Sequence, residues 1–233
     1  MDILHSFALQ SENKENKVSN LTRFNLLIHP LYLKESFSDE SSDRFNSDRK
    51  RFINNVVEKM MPASQTEATL ISPYYINKFG VVDLRNRIAL SNSFPYPQLP
   101  DLYKSLTRDN PYKRGVIMGS NLISNNVDKI VSPDAIELNL KRKGFVITGA
   151  TEVVVGGEML NACFQEGVLL LLRLPQVNAL KIPKSCTLTI SDFLGEDASK
   201  VEQKYDRFVR HMEAENFLVD TIEGNIIIKK RND

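Results

Sequence analysis

A cysteine at the predicted start of a helix is the residue of this chain best suited to covalent chemistry. Cys163 follows an apolar run that ends in Gly156-Gly157, and a second apolar-rich stretch continues to Leu172. This pattern predicts a buried strand, a tight glycine turn and a helix that begins near the cysteine. The positive end of the helix dipole favours the thiolate, which is the nucleophilic form. The same position also suits an inert, buried cysteine, so the residues alone leave both interpretations open.

Two further residues with useful chemistry stand beside predicted strands. His29 directly follows the apolar strand Leu26-Leu27-Ile28, and Lys129 belongs to the apolar run that continues through Ile130-Val131. An imidazole can accept a proton from a thiol, and an ammonium group stabilises a nearby thiolate. Because the carboxyl ends of parallel strands meet at one edge of a sheet, we expect His29, Lys129 and Cys163 to converge there.

The chain carries no pattern typical of a metal or a nucleotide cofactor. Its three histidines and two cysteines do not follow metal-ligand spacing. The glycines Gly115, Gly119, Gly156 and Gly157 lack the Gly-x-Gly-x-x-Gly and phosphate-loop patterns. We therefore predict no cofactor and no metal site.

The composition indicates one soluble domain. Of the 233 residues, 42% are hydrophobic and 25% charged, and the formal net charge of +1 gives no reason to expect nucleic acid or an acidic membrane as a partner. No apolar run approaches the roughly 20 residues of a membrane span, and the N-terminus lacks the features of a signal peptide. Cys163 and Cys186 are expected as reduced thiols. We predict a cytoplasmic protein that binds neither nucleic acid nor membrane.

Strands and helices alternate along the chain, which predicts an α/β fold. The middle strands are apolar without alternation, as in a parallel sheet covered on both faces. We expect a doubly wound, mostly parallel sheet with helices on both faces, then a C-terminal helix and a β-hairpin. The predicted units are a flexible arm over 1–22, an α/β domain over 23–195 and a helix–hairpin appendage over 196–233. Predicted strands lie at 24–29, 68–71, 115–119, 129–131, 153–157, 179–182, 187–190, 217–219 and 226–228, and predicted helices at 45–61, 101–108, 133–143, 163–172 and 201–212.

The order of elements that ends at Cys163 resembles that of the isochorismatase-like cysteine hydrolases, the group that includes the nicotinamidases. The family pattern has a lysine at a strand end, Ser/Asp-Ala opening a helix, a valine-rich strand, and then Gly-x-x-x-x-x-Cys-Val. Here Lys129 is followed by Asp134-Ala135, by the strand Val153-Val154-Val155, and by Gly157 six residues before Cys163. The resemblance implies the α/β fold of that family.

The resemblance covers about residues 24–190 and also implies a mechanism. Cys163 would attack an amide or related carbonyl, Lys129 would stabilise the thiolate, and water would release the acyl group. The chain departs from the family at the end of the first strand, where His29 replaces the proton-accepting Asp. Leu160 stands where the family has a small or hydroxyl residue. An imidazole can act as the base for a thiol, so a Cys163–His29 pair is chemically sensible. The same position also suits an ordinary strand-end histidine in a site that has lost its function.

Two functions therefore stay open. The first is a divergent cysteine hydrolase for a small amide- or ester-like substrate, with its catalysis either retained or lost together with the Asp. The second is a non-catalytic α/β scaffold that binds a protein partner or a second copy of the chain, with residues 201–228 as the docking element. A winged nucleic-acid reader at that end is disfavoured, because six acidic residues between 196 and 215 offset the basic ones.

Overall fold

The computed structural model of the protein describes residues 18–30, 43–72, 99–119, 134–158 and 160–231. Strands and helices alternate through these ranges. The strands are β1 (Ser19–Asn20), β2 (Arg23–Ile28), β3 (Glu67–Ser72), β4 (Val116–Met118), β5 (Phe145–Val146), β6 (Glu152–Glu158), β7 (Ala179–Pro183), β8 (Thr187–Leu188), β9 (Leu218–Ile222) and β10 (Asn225–Lys229). The helices are α1 (Asp43–Met60), α2 (Leu99–Thr107), α3 (Asp134–Lys141), α4 (Cys163–Leu172), α5 (Ile190–Phe193) and α6 (Ala198–Ala214), with 3-10 turns at Lys113–Gly115 and Lys184–Cys186.

A mostly parallel sheet forms the centre of the described structure. Its strand order is β4-β3-β2-β6-β7-β10-β9, and β8 pairs with the end of β6. The strands from β4 to β7 in this order are parallel to their neighbours, whereas β10 is antiparallel to both β7 and β9. The prediction of an α/β fold with a mostly parallel sheet is confirmed.

Buried apolar side chains cover this sheet on both faces. Phe24, Leu26 and Ile28 of β2 lie in one cluster with α3, α4 and α6, whereas Leu27 lies in a second cluster with α1, α2 and α5. We call these the α4 face and the α1 face. Successive strand residues point to opposite faces, so a strand buried on both sides needs an unbroken apolar run. This explains the runs that the sequence shows.

The C-terminal helix and hairpin share this sheet and core. β10 pairs with β7 along Asn225–Lys229, so the hairpin extends the central sheet. On α6, Phe208 and Met212 are fully buried. The ring of Phe208 meets that of Phe164 on α4 edge to face, with 6.0 Å between centroids. The segment 196–233, which we expected as an appendage, is therefore continuous with the α4 face.

The predicted strand over 187–190 is wrong in its second half. The strand β8 ends at Leu188, and Thr189 instead caps α5. The Thr189 hydroxyl accepts a hydrogen bond from the Asp192 backbone N–H at 3.2 Å, and the Asp192 carboxylate accepts one from the Thr189 N–H at 2.6 Å. This reciprocal pair is a capping box, which overrides the β-propensity of the apolar stretch.

The first described residues also differ from the expected arm. Ser19–Asn20 form β1, which pairs in parallel with β5 at Phe145–Val146. Leu21, which follows, is buried in the core. The last part of the segment 1–22 therefore belongs to the folded structure, and its first 17 residues lie outside the described ranges. The predicted strand 129–131 also lies outside them.

Tyr205 links α6 to the start of β8. Its hydroxyl oxygen lies 2.6 Å from Thr187 Oγ1, and the hydroxyl donates to the Lys184 carbonyl at 3.2 Å. The Lys184 ammonium lies 4.7 Å from the centre of the Tyr205 ring and also binds the Glu202 carboxylate. Burial raises the pKa of Tyr205 well above its ordinary value, so the hydroxyl stays neutral in its hydrogen bonds.

We expect Tyr205→Phe to lower the free energy of unfolding by about 0.5–1.5 kcal/mol, because it removes the hydroxyl but keeps the packed ring. Urea unfolding followed by circular dichroism measures this change. Tyr112→Phe, a matched change in a half-buried tyrosine, should stay within about 0.5 kcal/mol of the parent. Equal stability of the Tyr205→Phe and parent proteins would contradict the proposed link.

Candidate functional site

The central strands β2 and β6 are neighbours, and their carboxyl ends define the candidate site. Ile28, the last residue of β2, stands opposite Gly157 of β6 on one side and opposite Ser72 of β3 on the other. The strands β3 and β4 follow β2 outward in one direction, whereas β6 and β7 lie in the other. Such a reversal of strand order opens a crevice at the carboxyl ends of the strands, where α/β proteins bind their ligands.

Two glycines let the strands approach closely at this edge. A Cβ atom on Gly157 would lie 2.0 Å from the carbonyl oxygen of Ile28, and the φ of +144° is one that other residues rarely adopt. A Cβ atom on Gly156 would lie 2.7 Å from the carbonyl oxygen of Cys186 and 2.8 Å from Met60 Sδ. The Gly156-Gly157 pair therefore allows the β6 backbone to pack closely against its neighbours.

His29 occupies a strained and fully enclosed position at the end of β2. Its side chain is fully buried, and its φ of 47° lies in the left-handed region, which is uncommon for a residue other than glycine. Its backbone N–H donates to the Ser72 carbonyl at 2.8 Å, which fixes this turn against β3. Asp109, Asn216 and Glu223 also have a positive φ but are exposed. Strained backbone that is held in place by its surroundings is concentrated at functional sites, so its burial sets His29 apart from these three.

Glu158 is the residue of this edge that the sequence analysis missed. It directly follows Gly157 at the end of β6 and is fully buried. The adjacent pairs Ile28–Gly157 and Leu188–Glu158 place it beside the end of β2 on one side and against β8 on the other. A carboxylate is rarely buried without compensating partners. An acid that immediately follows an apolar strand and a glycine pair was the signal that could have revealed it.

Cys163 is the first residue of α4, as predicted. Its thiol is partly exposed, and it packs against the cluster of the α1 face. The helix α4 packs on both β2 and β6, the two strands whose carboxyl ends meet at this edge. Ala162 at the N-cap offers no side chain to cap the helix, so the first backbone N–H groups of α4 are not satisfied by a capping side chain.

The environment of Cys163 favours the thiol over the thiolate, in contrast to the sequence expectation. Burial raises the pKa of Cys163, and the carboxylate of Glu166 in the next helical turn adds to this rise. The backbone N–H of Cys163 lowers the pKa, but by less than burial raises it. A nucleophilic role for Cys163 therefore requires a group that accepts its proton.

His29 follows β2 and the helix that begins at Cys163 follows β6, and these two strands are neighbours in the sheet. Both residues therefore come after strand ends at the same edge. Lys129, the remaining predicted site residue, lies outside the described ranges. Within those ranges no group of three His, Cys, Asp or Glu side chains is arranged to hold a metal ion. A thiol, an imidazole and a carboxyl group thus lie at or directly after the carboxyl ends of β2 and β6, and groups of these types support nucleophilic and acid–base chemistry.

Comparison with family models, with curated proteins and with solved structures finds no significant match to this chain. In the part of the chain that the structure describes, no helix has both the length and the apolar character needed to cross a membrane.

Proposed function

We propose that this protein is a divergent cysteine hydrolase, similar to the isochorismatase-like enzymes, with a doubly wound sheet and a site at the carboxyl ends of β2 and β6. The strand order carries the proposal. It makes the strand that precedes His29 and the strand that precedes Cys163 direct neighbours at the point where the order reverses. The helices α1 and α2 on one face and α3 and α4 on the other support the doubly wound arrangement.

The substrate class is a small amide or ester. The Cys163 thiol gives its proton to His29, and the sulfur attacks the carbonyl carbon of the substrate. The uncapped N–H groups of α4 are suited to stabilise the resulting oxyanion. The bond to the leaving amine or alcohol then breaks, and the leaving group takes the proton from His29. Water, deprotonated by His29, cleaves the thioester and releases the acid, which restores the thiol.

Lys129 keeps the role that the resemblance implies, stabilisation of charge on the sulfur. A lysine and a histidine alone would leave the site with excess positive charge. The carboxyl group of Glu158 is buried at the same edge, so the loss of the family's Asp from the first strand is not by itself a reason to reject catalysis.

We expect p-nitrophenyl acetate, an activated ester, to acetylate Cys163. Peptide mapping by mass spectrometry should locate the acetyl group on the peptide that contains Cys163, and the modification should decay as the thioester is hydrolysed. Cys163→Ala should lose both this modification and the catalysed release of nitrophenol. Acetylation confined to lysines, with unchanged nitrophenol release from Cys163→Ala, would reject the hydrolase.

A protein-binding scaffold is the second candidate, and the edge strand β9 favours it. Leu218 and Ile222 of this strand are 47% and 52% exposed, and β9 pairs only with β10 among the described strands. An open edge with exposed apolar side chains can accept a further strand. Sedimentation velocity of the purified chain, and of a Leu218→Lys variant, tests whether a second copy binds there.

A further inference from the structure

We propose that a cavity at the amino-terminal edge of the sheet binds a small phosphate monoester through Arg114 and Lys143. The cavity has a volume of about 250 Å³ and is lined by residues from four segments of the chain, 19, 64–67, 111–115 and 143–145. This binding site is independent of the proposed hydrolase site, which lies at the opposite edge of the sheet.

The four segments meet because each of them precedes or begins a strand. Ser19 begins β1, Glu67 begins β3, and Gly115 directly precedes β4. The Ser19 backbone N–H donates to the Gly144 carbonyl at 2.8 Å, which joins the start of β1 to the residue before β5. A Cβ atom on Gly115 would lie 2.4 Å from the Glu67 carbonyl oxygen, so the turn that carries Arg114 lies directly against the start of β3.

Two cationic side chains of this cavity are unpaired among the described residues. Arg114 and Lys143 both line the cavity, and neither side chain makes an ion pair or a hydrogen bond with the part of the chain that the structure describes. The third charged residue of the lining is Glu67, whose carboxylate accepts a hydrogen bond from the Ala63 backbone N–H at 2.9 Å. The lining therefore holds two positive charges and one negative charge, and both cations are available to an anion.

These groups match a phosphate monoester with a hydroxyl group on its carbon part. The planar guanidinium of Arg114 can donate two parallel hydrogen bonds to phosphate oxygens, and the Lys143 ammonium adds a compact positive charge. A phosphate monoester carries nearly two negative charges at neutral pH, so it can be neutralised by both cations. Ser19 and Tyr112, which also line the cavity, carry hydroxyl groups that can donate to the remaining oxygens. The Glu67 carboxylate can accept a hydrogen bond from the hydroxyl group of the ligand.

The size and the place of the cavity limit what it binds. Its volume lies just below the roughly 300–1,000 Å³ of sites for drug-sized ligands, so the cavity suits a ligand with only a few carbon atoms. The strand β3 is 6 residues long and spans roughly 20 Å from this cavity to the opposite edge of the sheet. A ligand held here is therefore too far from the carboxyl ends of β2 and β6 to be the substrate of the proposed hydrolase.

Titration of glycerol 3-phosphate into the full, isotope-labelled chain, followed by amide NMR, tests this site. We expect saturable shifts of the Ser19, Gly115 and Gly144 amide resonances at millimolar concentrations or below. Arg114→Gln and Lys143→Gln should each weaken binding by about tenfold or more, because each removes a charge-assisted contact. If these three resonances do not respond at millimolar concentrations in the parent protein, the site is overturned.

Lys113→Gln and Arg142→Gln are the matched controls, because each removes one positive charge next to a lining cation. Both side chains are exposed, and neither residue lines the cavity. Each control should change the affinity by less than about twofold, since salt screens charges that lie in solvent. Equal weakening by all four substitutions would show a diffuse attraction to surface charge and would reject the site.

Two further ligands identify the group that is recognised. Glycerol should leave the three amide resonances unchanged, and glycerate, which has a carboxylate in place of the phosphate, should bind at least several-fold more weakly because it brings only one negative charge. Binding of glycerate as tight as that of glycerol 3-phosphate would overturn the assignment of a phosphate monoester. Cys163→Ala should bind glycerol 3-phosphate like the parent protein, so the failure of this site and the failure of the hydrolase are measured separately.

Discussion

Replacement of Gly157 by alanine is expected to lower the free energy of unfolding by more than about 4 kcal/mol, or to prevent folding. The new Cβ atom would lie 2.0 Å from the carbonyl oxygen of Ile28 and 2.8 Å from its carbonyl carbon. Both contacts are with backbone, so no side-chain rotation can relieve them. The strands β2 and β6 would have to separate at the centre of the sheet.

Two other glycines provide matched controls for this substitution. At Gly149 the nearest atom to a new Cβ would be Asn178 Nδ2 at 3.9 Å, so alanine should change stability by less than about 0.5 kcal/mol. At Gly224 nothing lies within 4 Å of a new Cβ, but the φ is +74°, so alanine should cost about 1–2 kcal/mol from backbone strain alone. Urea unfolding of the three variants distinguishes a steric clash from backbone strain. If Gly157→Ala lowers the free energy of unfolding no more than Gly224→Ala does, the close approach of β2 and β6 at Gly157 is contradicted.

The inner strands were predictable because they are buried on both faces. Leu26-Leu27-Ile28 and Val153-Val154-Val155 are unbroken apolar runs, followed by His29 and Gly156 respectively, and both form strands of the sheet. The hairpin was predictable for a local reason, since Glu223-Gly224 forms a turn with positive φ at both residues. These signals depend on only a few neighbouring residues.

Pairing between distant segments was not predictable in the same way. The pairing of β1 with β5 joins residues that are far apart in the sequence, such as Ser19 and Phe145, and no local sequence pattern predicts it. The antiparallel pairing of β10 with β7 is also invisible in the sequence, which is why residues 196–233 were expected as an appendage. The sequence pattern indicates which faces of each helix or strand are buried. The order of the strands in the sheet depends instead on how all the helices and strands pack together.

The residues of the candidate site also differ in how far local sequence could predict them. Cys163 was recognisable from its position at the start of a helix that follows a strand, and His29 from its position after a strand. The turn expected at Gly156-Gly157 was wrong, because both glycines lie within β6. Glu158 could be recognised as a buried group at the end of β6 only from the structure, because burial depends on tertiary packing. The direction of the pKa change at Cys163 was also wrong from sequence, because a helix terminus can be recognised locally but the desolvation of a thiol depends on tertiary packing.

Alkylation by iodoacetamide is expected to be at least about 100-fold faster at Cys163 than at Cys186, because a fully buried thiol reacts only when the structure opens locally. Cys186 is fully buried in the cluster of the α1 face, whereas Cys163 is partly exposed. Burial raises the pKa of both thiols, so exposure rather than acidity separates them. Mass spectrometry of the two cysteine peptides over time gives both rates, and in concentrated urea they should become similar.

The pH dependence of that reaction tests the activation of Cys163. Because its pKa is raised, the thiol is the main form at neutral pH, and the rate should keep rising as the pH increases beyond the ordinary thiol range. If His29 accepts the proton, His29→Ala should slow the reaction at neutral pH and leave the fully deprotonated rate at high pH unchanged. Equal, slow labelling of both cysteines in the folded protein would instead identify Cys163 as a core residue. The α/β fold would then stand, and the proposal of a cysteine hydrolase would fail because its nucleophile could not be reached.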